Sequence, residues 1–329
     1  MNSSKNSDIN FFLSEIEKEL SLLNFGFFPK ELYEPIDYTI SLGGKRIRPL
    51  FLLLANDLSG GKIKDALNPA LAIEIFHNFT LVHDDIMDNA PIRRNKPTVF
   101  KKWNNSIALL SGDVMLVWAY RLLSQCEKNK FPKILEVFNE TAIKVCEGQQ
   151  IDMNFEKEKN VSIEKYIEMI SLKTATLIAG CMKIGAVLGG ANEKSANHLY
   201  EFGKNIGIAF QLQDDFLDVF GNPEKFGKQI GGDIISNKKT FLLLKAFELA
   251  DGQTKSKLNQ ILSSPKISSA RKVNEIKNIY EKLGVRNESE KIINQYYSIA
   301  VKYFSKINAE EKKKKNLLLF VENLMQRNS

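Results

Sequence analysis

The sequence of 329 residues predicts an all-α protein, because its apolar residues follow the period of a helix. They recur at intervals of three and four positions in many windows. We find no convincing run in which apolar and polar residues alternate, as they do in half-buried strands. Glycines and prolines fall between the periodic windows, where turns are expected. We therefore predict one helical bundle of about a dozen helices.

The predicted helices can be followed along the chain. The first periodic window consists of Ile9, Phe12, Leu13, Ile16, Leu20 and Leu23. A short apolar run at residues 50–55 follows a glycine pair, and three longer apolar stretches occupy residues 67–87, 166–188 and 199–219. Helices that are apolar on most faces belong in the centre of a bundle. We expect these stretches to be central, and the first and the last of them end in acidic clusters.

Composition bounds the class of protein. No linker, repeat or low-complexity segment divides the chain, so we expect residues 1–329 to form a single domain. The three cysteines are widely spaced, which favours a reducing cytoplasm over a disulfide framework or a zinc site. The N-terminus lacks a signal-peptide pattern. No apolar run approaches the roughly 20 residues of a membrane span, so we expect a cytoplasmic protein without a transmembrane segment.

The net charge of +7 raises the question of nucleic-acid binding. The excess is confined to residues 251–329, which hold 16 Lys/Arg against 8 Asp/Glu, whereas the remainder holds 30 against 31. No zinc-finger, RNA-binding or basic-zipper signature accompanies this charge. We therefore interpret the basic C-terminal region as a solvated helical surface and expect no nucleic-acid partner.

Two DDxxD motifs carry the functional argument. The first is formed by Asp84, Asp85 and Asp88, and the second by Asp214, Asp215 and Asp218. In each motif the first and last aspartates are at i and i+4, so they share a helical face with Cβ atoms about 6 Å apart. Like charges this close repel each other unless a cation lies between them. Magnesium suits such a pair, because it accepts a few carboxylates and completes its shell with water and phosphate oxygens.

Basic residues flank both acidic motifs. One cluster, Lys45, Arg46 and Arg48, follows the glycine pair at residues 43–44, and another, Arg93 and Arg94, follows the first DDxxD. After the second DDxxD come Lys228, Lys238 and Lys239. Arginine forks and lysine point charges are suited to phosphate oxygens. Acidic and basic clusters together indicate a site for diphosphates, some bound through metal and some bound directly.

With these motifs in view, the sequence resembles the trans-isoprenyl diphosphate synthases, or polyprenyl synthetases. The motifs that carry the resemblance occur in family order over about 200 residues: GGKxxRP at residues 43–49, LVHDDxxD at 81–88, FQxxDDxxD at 210–218 and GKxxGxDxxxxKxT at 227–240. The resemblance implies a homodimeric prenyltransferase with the isoprenoid synthase fold, a helical bundle around a central cavity. It also implies magnesium as cofactor, three ions with substrate bound, and isopentenyl diphosphate and allylic prenyl diphosphates as substrates.

The resemblance also implies a role for each matching position. Asp84 and Asp88 correspond to magnesium ligands of the first motif, and Asp214, supported by Asp215 and Asp218, corresponds to the second. The residues implied for the isopentenyl diphosphate are Lys45, Arg48, His77 and Arg94. Those implied for the allylic diphosphate are Arg93, Lys228 and Lys238. Those implied beside the developing carbocation are Lys173, Thr174 and Gln211.

Three residues upstream of the first motif bear on product length. Thr80 and Phe76 precede Asp84 by four and eight positions and lie on roughly its face, while Phe79 flanks that face. In the family, the fourth and fifth positions before this aspartate set product length, and an aromatic residue there resembles short-chain enzymes. Phe79 with Thr80 therefore suggests a C15 to C20 product, with the C20 product, geranylgeranyl diphosphate, slightly ahead.

Several alternatives stay open from the sequence. A longer-chain synthase that makes a quinone side chain differs only in the depth of its pocket. A non-catalytic subunit of a heteromeric synthase would be expected to lack site residues, whereas this chain retains both the acidic and the basic sets. A terpene cyclase normally replaces the second DDxxD with an Asn/Ser/Glu-type motif, which is not what Asp214, Asp215 and Asp218 form.

Overall fold

The computed structural model of the protein describes residues 7–158, 160–221 and 231–325. Within these ranges sixteen α-helices, one π-helical turn and one two-stranded hairpin account for the regular structure. The predicted all-α fold is confirmed. Two of the helices beyond the predicted dozen, at residues 99–102 and 232–235, are single turns, which are too short to produce a periodic sequence pattern.

The elements of the first part of the chain run as follows. The helices are α1 (Ser7–Leu22), α2 (Lys30–Ser41), α3 (Ile47–Leu58), α4 (Ile63–Met87), α5 (Val99–Lys102), α6 (Asn105–Leu123) and α7 (Phe131–Lys157). Between α4 and α5 lie the strands β1 (Ile92–Arg93) and β2 (Lys96–Pro97).

The remaining elements continue from residue 163. They are α8 (Ile163–Ile170), the π-helical turn (Ser171–Ala175), α9 (Thr176–Leu188), α10 (Glu193–Phe220), α11 (Gly232–Ile235), α12 (Phe241–Leu249), α13 (Gly252–Ser263), α14 (Ser269–Lys282), α15 (Val285–Phe304) and α16 (Glu311–Met325).

The chain forms two compact units, and each contains one acidic motif. The first unit comprises the chain up to Phe138, Cys181–Asn197 and Ala309–Leu317. The second comprises Asn139–Gly180, His198–Asn308 and the chain from Leu318 onward. The organisation as a single domain and the central cavity stay predictions.

In the first unit, α3 and α4 form the core. Residues 49–56 of α3 and residues 69–76 of α4 are all buried, the charged Glu74 among them. Burial on every face of α4 agrees with its near-continuous apolar sequence. The helix ends at Met87, and Asp88 is its C-cap. The first DDxxD motif therefore sits on the last turn of a rigid, buried helix.

In the second unit, α8, α10 and α12 share a core with the π-helical turn. Ile208, Leu212 and Phe216 follow one face of α10 at intervals of four and pack in a cluster with Tyr166 of α8 and Phe241 of α12. This packing places the second DDxxD motif on the last two turns of α10, which ends at Phe220.

The hairpin after the first motif is the one strand pair in the described ranges. Ile92 pairs with Pro97 and Arg93 with Lys96. Arg94 and Asn95 form its two-residue turn with φ angles of 52° and 60°, the left-handed pattern of a type I′ turn. Two-residue strands are too short to show alternation, which is why no strand is predicted from the sequence.

Among the residues that the structure describes, two helical stretches satisfy the length and composition of a membrane span. They are Asn105–Leu123, of which 39% is buried, and Ile163–Leu188, of which 67% is buried. Core helices of soluble proteins meet the same criteria. The absence of a transmembrane segment stays a prediction.

Candidate active site

The first acidic motif presents its outer and middle aspartates differently. Asp84 is half-buried and Asp88 is exposed, whereas Asp85 is only 4% exposed. Arg93 on β1 donates from Nε to both Asp85 oxygens at 2.9 and 3.0 Å, and its Nη2 lies 2.7 Å from Oδ1. Burial raises the pKa of Asp85, and the bond from Arg93 opposes that rise. Asp84 and Asp88 are thus the more accessible carboxylates, while Asp85 holds Arg93.

The four residues expected to bind isopentenyl diphosphate all lie in the first unit, around the start of α3. Nη1 of Arg48 lies 3.0 Å from Nε2 of His77 on α4. Arg94 donates to the carbonyl of Gly43, and its guanidinium carbon would be 3.3 Å from a Cβ atom at Gly44. A side chain at residue 44 would therefore press on Arg94. The exposed Lys45 is the next residue in the chain.

His77 is held in its neutral form. Burial, reinforced by the positive charges of Arg48 and Arg94, lowers the pKa of His77 well below its ordinary value of 6.5. Because the guanidinium of Arg48 can only donate, Nε2 of His77 accepts and the ring proton resides on Nδ1. His77 therefore contributes a hydrogen-bonding group, and the positive charge near it comes from the arginines.

The second acidic motif repeats the contrast between its outer and middle aspartates. Asp214 and Asp218 are half-buried, and Asp215 is 4% exposed. Both oxygens of Asp215 are engaged: Tyr166 donates its hydroxyl to Oδ2, and Nε2 of Gln211 donates to Oδ1 at 2.9 Å. Burial, with the charge of Asp233, raises the pKa of Asp215 to about 7. Burial also raises the pKa of Tyr166, so the phenol keeps its proton and donates.

The residues expected beside the carbocation lie on the π-helical turn and on α10. Oγ1 of Thr174 donates to Oε1 of Gln211 at 3.0 Å, so Gln211 bridges Thr174 and Asp215. Nζ of Lys173 lies 2.7 Å from Oδ2 of Asp152 on α7. The structure thus joins Thr174 and Gln211 in one hydrogen-bond network with Asp215. Lys173 lies on the same π-helical turn and pairs separately with Asp152. π-helical turns occur frequently at functional sites.

Glycine permits the close packing of this turn. A methyl group at Gly148 on α7 would overlap the backbone of Lys173, and one at Gly207 on α10 would lie 2.5 Å from the Cα atom of Ala175. Helices α7 and α10 therefore both approach the turn at backbone distance.

The described chain that resumes at Gly231 is hydrogen-bonded to Asp218 of the second motif. Oδ2 of Asp218 accepts the backbone N–H of Asp233 at 3.0 Å, at the start of α11. The positive charge of Lys238, a few residues after α11, opposes the rise in the pKa of Asp215. The neighbouring Lys239 instead donates to the carbonyls of Phe155 and Glu158, the latter at 2.6 Å. Lys228 lies outside the described residues.

The candidate length-determining residues have different surroundings. Phe76 is 1% exposed, with its ring 5.2 Å from that of Phe138 and 5.7 Å from that of Phe79. Phe79 is 9% exposed and meets the ring of His83 edge-on at 4.7 Å. Thr80 is half-buried and donates its hydroxyl to the carbonyl of His77 at 2.8 Å. All three stand one or two turns before Asp84, on the same helix.

The carboxylates fit a magnesium site that substrate completes. Within residues 7–158, 160–221 and 231–325, no three His, Cys, Asp or Glu side chains gather so as to hold a metal by themselves. Each motif instead offers two accessible carboxylates at i and i+4, with the middle aspartate engaged elsewhere. Magnesium takes one or two carboxylates and obtains its other ligands from water and phosphate.

Four residues of these networks have no individual role predicted from the sequence, although Arg46 lies in the predicted basic cluster. Arg46 and Glu74 are paired in the first unit, and Tyr166 and Asp152 support the second. Tyr166 precedes its partner by 49 positions and Asp152 precedes Lys173 by 21. Only the position of Arg46 inside a basic cluster could have drawn attention to one of them.

Solved structures share this architecture. A geranylgeranyl pyrophosphate synthase matches with a TM-score of 0.91 and 41% identity, covering 100% of both chains. A polyprenyl synthase of Caulobacter crescentus, solved with calcium and isoprenyl diphosphate, matches with a TM-score of 0.85 and 25% identity, covering 98% of this chain and 96% of that chain. The fold is that of the all-helical isoprenoid synthases.

Sequence comparison then identifies the family. Residues 29–283 match the polyprenyl synthetase family. The geranylgeranyl diphosphate synthase of Methanosarcina mazei is 43% identical over 222 residues, which are 67% of this chain and 68% of that protein. The chain belongs to the polyprenyl synthetase family, and the resemblance inferred from the motifs is confirmed.

Proposed function

We propose that the protein is a magnesium-dependent prenyltransferase that elongates allylic diphosphates. It condenses isopentenyl diphosphate head to tail (1′-4) with C5, C10 or C15 allylic diphosphates and releases an all-trans prenyl diphosphate. The observation that carries the proposal is that both units retain a complete DDxxD motif together with basic residues, in a chain of this family. Similarity to geranylgeranyl diphosphate synthases supports the same activity.

The reaction assigns a task to each network. We assign Asp84 and Asp88 in the first unit, and Asp214 and Asp218 in the second, to magnesium, three ions with substrate bound. Bound magnesium would supply positive charge that stabilises the departing diphosphate. Arg93, Lys228 and Lys238 add direct contacts to that leaving group. Asp215 then serves as a support, because its two oxygens are engaged by Tyr166 and Gln211.

The nucleophile has its own residues. Lys45, Arg48, His77 and Arg94 bind the isopentenyl diphosphate and orient its double bond toward the allylic C1. As the allylic bond to oxygen breaks, the oxygens of Thr174 and Gln211 offer negative partial charge near the cation. The double bond attacks, and the released diphosphate takes the proton lost from the new product. No protein side chain is required as a base.

We further propose a C20 product, geranylgeranyl diphosphate. The aromatic side chain of Phe79, which stands five positions before Asp84 and packs on Phe76 and His83, limits the length of the growing chain. The similar synthases compared above carry the geranylgeranyl name, which supports this length. A C15 or a longer product remains the measurable alternative.

We also propose a cytoplasmic homodimer. One face of α6 exposes large apolar side chains, namely Leu109, Leu110, Val117 and Tyr120, at 45%, 59%, 66% and 37% exposure. These residues repeat at helical spacing and present a stripe suited to burial against another chain. Sedimentation velocity of the wild type and of Val117→Glu tests this, with a dimer expected for the first and a monomer for the second.

The activity is tested by product analysis. Purified protein is incubated with isopentenyl diphosphate, magnesium and one primer at a time, C5, C10 or C15, and the product length is read by chromatography of the dephosphorylated alcohols. We expect C20 from every primer. Chains longer than C20 would favour the quinone-tail alternative, and the absence of product from all three primers would refute the enzyme assignment.

A further inference from the structure

The basic cluster at residues 45–48 contains one cation that points away from solvent. Arg46 is 4% exposed, whereas Lys45 is exposed and Arg48 is half-buried. Its φ angle of 45° places the backbone in the left-handed region, immediately before α3 begins. A left-handed arginine is unfavourable in isolation and persists where its surroundings hold it. The side chain must therefore make interactions that outweigh this backbone cost.

Those interactions use most of the guanidinium. Nε of Arg46 donates to Oε1 of Glu17 at 2.8 Å, and Nη1 donates to Oε1 of Glu74 at 2.8 Å. Nη2 donates to the carbonyl of Ile40 at 3.2 Å and to Oε2 of Glu17 at 3.4 Å. Burial tends to lower the pKa of Arg46, but the bonds to Glu17 and Glu74 outweigh it and raise the pKa. Arg46 is already committed to carboxylates and has little capacity left for a diphosphate.

The partners of Arg46 connect the cluster to the rest of the first unit. Glu17 belongs to α1, Ile40 to α2 and Glu74 to α4, so one side chain joins three helices to the start of α3. Glu74 is itself buried, with 3% side-chain exposure, and accepts from Nδ2 of Asn78 at 3.2 Å. The Arg46–Glu74 ion pair is therefore buried within the first unit and is not a surface contact.

The same pair sets the register between two diphosphate-binding segments. Glu74 precedes His77 by one helical turn on α4, and Arg46 precedes Arg48 by two residues. Arg48 contacts His77 at 3.0 Å. If residues 45–48 moved along α4, Arg48 would separate from His77. The bond between Arg46 and Glu74 opposes that movement.

We propose that Arg46 is a positioning residue: through Glu74 and Glu17 it holds Lys45 and Arg48 in register with His77 for the diphosphate of isopentenyl diphosphate. The inference rests on the proposed function for the identity of that substrate. It gives Arg46 a role different from that of Lys45 and Arg48, to which the proposed function assigns contact with the diphosphate.

The test compares Arg46→Met with the double variant Arg46→Met/Glu74→Met. The single variant leaves a buried carboxylate without its partner, whereas the double variant replaces the buried pair by apolar groups of similar length. We expect the single variant to raise KM for isopentenyl diphosphate by about tenfold or more, with KM for the allylic primer within about twofold. The double variant should recover most of that loss, because two packed apolar side chains hold the segment in place without leaving a buried charge. A contact with the diphosphate would not be recovered in this way.

Three further variants complete the comparison and guard against misfolding. Arg46→Lys keeps the charge and should lie between the wild type and Arg46→Met, and Glu17→Gln, at the exposed end of the network, should change KM by less than about threefold. If Arg46→Met does not give the wild-type circular dichroism spectrum, the comparison is made with Glu74→Gln, in which the new side chain has the same shape as the original one. It should raise KM for isopentenyl diphosphate selectively.

A binding measurement separates this inference from the proposed function. Titration of inorganic diphosphate, without metal, into wild type and variants by calorimetry reports on the cationic cluster whether or not turnover occurs. Weaker binding in Arg46→Met with recovery in the double variant supports the inference. Unchanged binding in Arg46→Met, or a double variant as weak as the single one, overturns it. A wild type that makes no prenyl product but shows this binding pattern would refute only the proposed function.

Discussion

Tyr166 donates its hydroxyl to Asp215, and this bond connects a side chain of α8 to the centre of the second acidic motif. The bond is buried, and Gln211 occupies the other oxygen of Asp215. The middle aspartate is thereby fixed between two donors, with Asp214 and Asp218 on either side. Asp85 has a corresponding arrangement in the first motif, where Arg93 is its donor.

Replacement of Tyr166 by phenylalanine should lower both the stability and the activity of the protein, because it removes the hydrogen bond to Asp215. The variant leaves one oxygen of a buried carboxylate without its donor, which costs about 1–3 kcal/mol of unfolding free energy. Gln211 and its partner Thr174 should lose their orientation, so kcat should fall as well. Chemical denaturation and steady-state assays measure the two effects. Tyr297→Phe, at a half-buried tyrosine outside the motifs, is the control, and equal behaviour of the two variants would contradict the role of Tyr166.

His77 should give the protein a measurable pH dependence of stability. The native pKa of His77 is well below its ordinary value of about 6.5. As pH falls through that value, the unfolded chain binds a proton that the native protein does not, so the unfolding free energy declines by up to about 1.4 kcal/mol per pH unit. His77→Gln removes this contribution. The elevated pKa of Asp215 acts in the opposite direction in both proteins, so the informative quantity is the difference between them.

Denaturation curves of wild type and His77→Gln between pH 5 and 8 provide that difference at roughly half-unit steps around the ordinary histidine pKa. The wild type should lose stability faster on acidification. Parallel curves for the two proteins would mean that His77 is protonated as readily in the native protein as in the unfolded chain.

Substitution of Phe79 by alanine should lengthen the product. Removing the ring that packs on Phe76 and His83 opens space one turn before Asp84, and the growing chain can enter it. The same truncation should cost about 3–5 kcal/mol of stability, so the assay is run well below the unfolding temperature. Phe11→Ala, at a half-exposed phenylalanine of α1, serves as the control. An unchanged product length would remove Phe79 from the length-determining set.

Gly148→Ala should disturb the π-helical turn. The added methyl group would overlap the backbone of Lys173, so either α7 or the turn must move. Overpacking of this kind costs about 1–3 kcal/mol, and the displacement of Lys173 and Thr174 should reduce kcat. Gly252→Ala is a matched control, because a methyl group there meets no atom within 4 Å. Wild-type activity and stability in Gly148→Ala would show that the turn tolerates the shift.

Much of the fold and part of the site follow from sequence pattern. The i, i+4 spacing of Asp84 and Asp88 places them on one helical turn, and continuous apolar residues before them predict the buried helix that ends there. The spacing of residues along the chain does not show which side chain of a cluster is buried. Lys45, Arg46 and Arg48 have the same charge, and only the contacts with Glu74 and Glu17 show that Arg46 is the buried one.

Other features depend on tertiary contacts between distant segments. The π-helical turn at Ser171–Ala175 interrupts an otherwise regular apolar period, and it forms where Gly148 and Gly207 allow two helices to approach it. Tyr166 finds Asp215 across 49 residues. Lys228, predicted from its motif, lies outside the described residues, and its role stays a prediction.

The most direct test of the account is turnover of labelled isopentenyl diphosphate with a C15 primer and magnesium, in the wild type, Asp84→Asn and Asp214→Asn. The wild type should incorporate the label into a C20 diphosphate. Each variant should retain its fold by circular dichroism and lose turnover by about two orders of magnitude or more, because the neutral amide is a poor magnesium ligand. Near-normal turnover in either variant, or no labelled product in the wild type, would contradict the account.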